Sequence, residues 1–243
     1  VSDWHLMHYG SRATGGIGLI LTEATAISPT GRITLGCPGI WSEEQTIAWK
    51  RIVDFIHKNS NTKIGIQLGH SGRKGAVQFP WEDDTSPIEN PWGLLSASAI
   101  AFSDKVAAPK EMTIEDMDAI TAEFVIAAKN ADKAGFDMIE LQAHHGFLLA
   151  SFLSPLTNIR TDEFGGSITN RLKFPLRVFN AMREVFPANK PISVRISASD
   201  WTEGGITDED VITIATAFKE AGADIINVST VLTVENHIPA VGW

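Results

Sequence analysis

Short apolar runs alternating with amphipathic stretches of helical period limit the fold of this chain more than any other feature. The runs lie at residues 17–23, 63–68, 136–141, 191–199 and 224–229. Between them the spacing predicts helices over 3–13, with Asp3 as N-cap, and from the capping box Ser42-Glu43-Glu44-Gln45 to about residue 58. Ile47, Ile52, Phe55 and Ile56 are expected on the buried face of that second helix. Further helices are expected from Thr113-Ile114-Glu115-Asp116 to Gly135, over 167–185, and from Thr207 to Gly222.

Strands apolar on both faces belong in a parallel sheet covered by helices, which leaves a barrel or a doubly wound sheet. No Gly-x-Gly-x-x-Gly turn follows a strand, and polar residues gather where nearly every strand ends: Glu23 and Thr25, Gln67 and His70, Gln142 with His144 and His145, Arg195 and Ser197, Asn227 and Ser229. Barrel enzymes place their sites at those ends, whereas a doubly wound sheet concentrates them at one switch point. We therefore expect an α/β fold of the (β/α)₈ type. Five strands are legible where eight are needed. The chain opens Val1-Ser2-Asp3 without a methionine, and Val241-Gly242-Trp243 follow a polar loop without a closing helix. The expectation is a single barrel domain over 1–243, truncated at both ends, beginning after strand one and stopping after strand six.

A formal charge of −9 disfavours phosphate backbones and anionic lipid surfaces, so neither nucleic acid nor membrane is an expected partner. No apolar run reaches the roughly 18 residues of a membrane span. The single cysteine, Cys37, excludes an internal disulfide framework and suits a reducing cytoplasm. A small-molecule substrate is expected, with a homo-oligomer left open.

Arg195 interrupts the apolar strand Ser193-Val194-Arg195-Ile196-Ser197. A buried cation needs an anion or a dense set of acceptors, so it either pairs with a carboxylate such as Glu140 or faces a ligand that becomes negative. Gln67 ends its strand with an amide that donates and accepts at once, matching the N3–H/C4=O edge of an isoalloxazine or pyrimidine, or satisfying a structural neighbour. Arg73 and Lys74 read as ordinary loop charges. Strand alternation puts Glu140, Gln142 and His144 on one face and leaves His145 to the turn. Adjacent histidines without a second ligand pair make zinc improbable. The charges from Arg160 to Arg171 read as ties of a loop capped by Ser167.

Taken together, Asp3-Trp4-His5, Thr22-Glu23-Ala24-Thr25-Ala26 and Gln67-Leu68-Gly69-His70-Ser71-Gly72-Arg73-Lys74 resemble the Old Yellow Enzyme family. So do Phe152-Leu153-Ser154-Pro155, Gly165-Gly166-Ser167 with Asn170-Arg171, and Val194-Arg195-Ile196-Ser197. The likeness runs through the whole chain and is strongest to NADPH dehydrogenases of the xenobiotic-reductase type. Leu148-Leu149-Ala150-Ser151-Phe152 and Asp200-Trp201 also resemble the reductase half of anthraniloyl-CoA monooxygenases.

The resemblance implies FMN as cofactor and NADPH or NADH as reductant. Ala24 would lie near the flavin, Gln67 at its pyrimidine edge, and Arg195 at N1–C2=O. The family's His-x-x-His-Gly-Tyr motif, which holds a substrate carbonyl and donates a proton, falls on Gln142, His145 and Phe147. Phe147 has no acidic proton to give. First-strand flavin contacts and the phosphate site would lie outside this chain. The function implied is an FMN-dependent oxidoreductase passing hydride from NAD(P)H to an electron-poor alkene conjugated to a carbonyl. The alternatives are the reductase half of an aryl-CoA monooxygenase and a non-catalytic barrel remnant, which a flavin absorbance spectrum separates from both enzymes.

Overall fold

In a computed structural model of the chain, residues 1–83 and 86–235 are described. The terminal Val241-Gly242-Trp243 lie outside them. Among these residues seven strands and six α-helices follow one another as α1 (Asp3–Thr14), β1 (Leu19–Ala26), α2 (Glu43–Asn59), β2 (Lys63–Gly69), β3 (Leu95–Ser96), β4 (Lys110–Glu111), α3 (Ile114–Ala134), β5 (Met138–Ala143), α4 (Leu148–Leu153), α5 (Ile168–Val185), β6 (Ile192–Ser197), α6 (Asp208–Glu220) and β7 (Ile225–Ser229).

Five strands form one parallel sheet in the order β1-β2-β5-β6-β7, which is their order along the chain. A doubly wound sheet would reverse that order at a switch point; this one never does. Packing between helices follows the same sequence, α1 on α2, α2 on α3, α3 on α5 and α5 on α6. Constant strand direction with sequential helix packing is the construction of a (β/α)₈ barrel, present here as an incomplete one.

The expected caps close the helices they open. Ser42, Thr113, Ser167 and Thr207 each accept the backbone N–H three residues on. At α1 the N-cap is Ser2, one residue earlier than expected, and Asp3 sits inside the first turn where its charge favours the helix dipole. The expected face of α2 needs correction. Ile52 and Ile56 are buried, but Ile47 is 60% exposed and Phe55 38%. The face that meets the core is Thr46, Trp49, Ile52, Val53 and Ile56, a stripe with the 3–4 spacing that Ile47 breaks. Phe55 instead lies against Gly10 of α1.

The buried side chains from Tyr9 to Phe218 form one cluster between the helices and the sheet. That cluster makes a rigid floor for the polar residues on the sheet's other face. At β1 the register slips between Leu21 and Ala24, so one extra residue enters opposite β2. Such a bulge re-aims side chains at the rim of a sheet. Here it leaves Thr22 Oγ1 accepting the Gln67 N–H at 3.2 Å and Ala24 level with Gln67.

Candidate active site at the strand ends

The sheet register places Ala24, Gln67, Glu140 and Ser193 in one row, with Gln142, Arg195 and Asn227 two residues further along their strands. Glu140 is 1% exposed, and among the described residues it forms no ion pair. Its carboxylate accepts from Gln67 Nε2 at 2.8 Å, Ser193 Oγ at 2.8 Å and Asn227 Nδ2 at 2.9 Å. Three donors satisfy a charge that would be costly to bury alone. An ionised carboxylate only accepts, so the amide of Gln67 must turn its NH₂ toward Glu140. Gln67 Oε1 then accepts from Gln142 Nε2 at 3.2 Å. The result is a directed chain, Gln142 to Gln67 to Glu140, that fixes both amides.

Gly69 leaves room for this arrangement. A Cβ there would overlap Gln142 Oε1, so any larger residue would push Gln142 off its partner. Glu140→Gln keeps the volume but replaces one acceptor by an NH₂ that meets a neighbouring donor. A loss of roughly 1–2 kcal/mol is expected in urea unfolding of the complete protein. An unchanged midpoint would show that the three donors find other partners.

Arg195 does not form the expected pair with Glu140, whose carboxylate takes three other donors. Its Nη2 reaches Ser229 Oγ at 3.4 Å, and its buried Nε has no partner among the described residues. Buried N–H groups are almost always satisfied. The guanidinium thus keeps an N–H with capacity for one more acceptor.

Past Ala143 the chain turns sharply, with His145 at φ 55° and Gly146 at φ 69°. The His145 N–H donates to Ser197 Oγ at 2.9 Å, and its Nε2 is hydrogen-bonded to Ser229 Oγ. His144 stacks edge-on against it with ring centres 4.1 Å apart. Burial first, then the neighbouring Arg195 and Lys74, lowers His145 to a pKa of about 4. His144 is lowered to about 2 by burial, His145, Arg195 and Lys74, and His70 to about 4 by burial alone. All three rings are neutral at pH 7.

These three shifts make stability depend on acid. Each folded pKa lies below the unfolded value near 6.5, so the unfolded chain binds more protons between about pH 6.5 and 4. Stability is therefore complete above pH 6.5 and falls as the pH drops. Urea midpoints of the complete protein at pH 7 and 5 should decline in that order. A midpoint that rises toward pH 5 would mean these rings are not buried neutral.

Arg73 and Lys74 are not ordinary loop charges. Both lie on a 3₁₀ turn, Gly72–Lys74, whose first residue has φ 62° and packs on the backbone of Leu148. Arg73 is 1% exposed and donates to the carbonyls of Ile100, Ala101 and Thr233. Lys74 donates to the carbonyls of His145 at 2.8 Å and Leu232 at 2.7 Å. Beside it a cleft of about 350 Å³ is walled by Ile33, Val77, Phe102, Val106, Phe147 and Leu232. The sequence gives no signal for these partners, because the carbonyls come from segments 27 to 160 residues away.

Gln67, Gln142, Arg195 and His145 thus meet at the strand ends, with Ala24 level with Gln67 and Phe147 turned to the adjoining cleft. Residues 1–243 match the model of the NADH:flavin oxidoreductase / NADH oxidase family. The chain belongs to that family. An NADPH dehydrogenase of Geobacillus sp. (strain WCH70) is 42% identical over 230 residues, which is 95% of this chain and 63% of the relative. An Old Yellow Enzyme from Pichia sp. AKU4542 superimposes with a TM-score of 0.79 at 30% identity, covering 94% of this chain and 62% of that one. A 2-naphthoyl-CoA reductase in complex with 2-naphthoyl-CoA gives 0.83 at 26% identity, covering 97% and 36%. The chain thus spans somewhat under two thirds of the length of this NADPH dehydrogenase relative. Among the described residues no helix is long and apolar enough to cross a membrane.

Proposed function

We infer that the complete protein is an FMN-dependent oxidoreductase that takes hydride from NADPH or NADH and reduces an electron-poor alkene conjugated to a carbonyl. The observation that carries this reading is the N–H of Arg195 left unpaired among the described residues, beside the fixed Gln142–Gln67–Glu140 chain. A flavin ring has acceptors along N1–C2=O for the guanidinium and a donor–acceptor edge at N3–C4=O for Gln67, so the residues present fit the group. When bound, FMN supplies a two-electron hydride relay between nicotinamide and substrate. Ala24 is small enough to let a ring approach β1. Gln142 keeps a second amide N–H for a substrate carbonyl, and we place His145 beside it at the same oxygen, where charge develops. We assign residues 1–243 to a single FMN-binding barrel domain, and one cysteine in an acidic chain suits a cytoplasmic enzyme.

The test is direct. The complete protein should show a flavin absorbance spectrum, bleach with NADPH under anaerobic conditions, and recover colour on addition of 2-cyclohexenone. A colourless protein would leave the barrel-remnant alternative standing; bleaching without recovery would remove the alkene. A second reading, the reductase half of an aryl-CoA monooxygenase, is favoured by the likeness to the naphthoyl-CoA reductase and by the aromatic walls Phe102 and Phe147. Reoxidation by an aryl-CoA thioester but not by cyclohexenone would select it.

A further inference from the structure

Alkene reduction needs a proton as well as a hydride, and Phe147 cannot give one. We propose that Lys74 is the proton donor to the substrate in the cleft it shares with Phe147. The proposal rests on the alkene reductase reading above. Lys74 Nζ stands 5.0 Å from the centre of the Phe147 ring and 4.5 Å from that of Phe102, and it lines the same cleft as both.

Its hydrogen bonding suits a group that gives up one proton. An ammonium carries three N–H donors, and the carbonyls of His145 and Leu232 take two. Among the described residues the third meets no acceptor and is left toward the aromatic walls. Loss of that proton leaves an amine whose two remaining N–H groups still serve both carbonyls. The side chain can therefore change charge without losing an anchor. Burial, with Arg73 adding repulsion, lowers its pKa to about 7, where donor and conjugate base are both accessible.

The step balances as follows. The β carbon of the alkene receives hydride that originates in the reduced nicotinamide. The C=C π pair forms a C–H bond at the α carbon with the proton leaving Nζ. Lys74 becomes a neutral amine, and water restores its proton. The sum is alkene, NAD(P)H and one proton giving saturated product and NAD(P)⁺.

Among the described residues the charged and titratable groups around Lys74 are Arg73 beside it, His144 and His145 from the turn after β5, and Glu235 on the cleft wall; Arg195 on β6 acts on the same two histidines. The two histidines are neutral above about pH 4, so neither titrates near 7. Arg73, lowered by burial to about 10, keeps its charge there.

The test uses the complete flavin-loaded protein, with stopped-flow measurement of the two half-reactions and cyclohexenone as acceptor. In wild type the alkene step should slow as pH rises through about 7. In Lys74→Met its rate relative to flavin reduction should fall about 10²–10⁴-fold. Lys74→Arg keeps the charge and the carbonyl anchors but holds its proton. It should show the same loss without the pH dependence, which guards against a variant that merely misfolds. Competitive acetylation of the wild-type lysines, read by mass spectrometry, should give Lys74 a midpoint near 7. An alkene step insensitive to both substitutions, or a Lys74 midpoint near that of exposed lysines, overturns the proposal. A wild type that reduces its flavin but no enone overturns the alkene reading itself.

Discussion

Arg171→Met is expected to destabilise the complete protein by about 3–5 kcal/mol, the range for removing one partner of a buried, hydrogen-bonded ion pair. Arg171 is 5% exposed and joins three segments. Its Nε donates to Gly166 O at 3.1 Å in the loop before α5, and its Nη1 to Leu153 O at the end of α4. Its Nη2 meets Asp210 Oδ2 at 3.2 Å in the first turn of α6. Methionine fills the volume of the stem but strands two carbonyls and a mostly buried carboxylate. The midpoint of guanidinium unfolding should fall with little change in slope. Arg171→Lys should recover only part of the loss, since one ammonium cannot span three acceptors in the plane of a guanidinium. A midpoint within 1 kcal/mol of wild type for the methionine variant would show that water replaces the clamp.

The loop charges from Arg160 to Arg171 were readable as structural ties because an N-cap serine after two glycines marks the start of a helix. Arg160 fits that reading, with donors to Asp162, Ala97 O and Met112 O. The larger frame was equally legible. The five long strands and five of the six helices follow from period and caps, which are local properties of the chain. What escaped was set by tertiary contact. Helix α4 has all six residues buried, so it shows no amphipathic period to read. The paired dipeptides β3 and β4 are too short for any pattern. On α2, Ile47 and Phe55 are apolar without facing the core: Ile47 is exposed and Phe55 lies against Gly10 of α1, which residue type alone does not announce.

At the candidate site the same division holds. Alternation placed Glu140 and Gln142 on one face, and the hydrogen bonds of Gln67 to both show that they share it. Glu140 stood out in the sequence only as a partner for Arg195. Its actual donors lie on three different strands, where register and not spacing decides who meets whom. Lys74 looked like a solvated charge because nothing in Gly72-Arg73-Lys74 announces that its partners are carbonyls 71 and 158 residues away.

Arg195→Met should lower the reduction potential of the flavin proposed to bind here. Reduction places negative charge along N1–C2=O, so an arginine facing that edge holds the reduced ring more tightly than the oxidised one. A charge-assisted hydrogen bond contributes about 1.5–3 kcal/mol, and for two electrons that corresponds to a fall of about 30–65 mV. The structure leaves Arg195 free for this work: it has no ion pair among the described residues, only Ser229 Oγ at 3.4 Å, and its Nε is unpartnered. The oxidised flavin loses a neutral acceptor's share of the contact, so its affinity should weaken less than that of the reduced form. Arg195→Lys retains a charge at the same strand position and should keep part of the potential, though without the paired N–H geometry. Spectroelectrochemical titration of the complete protein reads the potential, and equilibrium binding of flavin to the stripped protein reads the oxidised affinity. If the methionine variant keeps both flavin and potential, the spare N–H of Arg195 faces something other than the ring, and its charge belongs to the packing of β6 against β7.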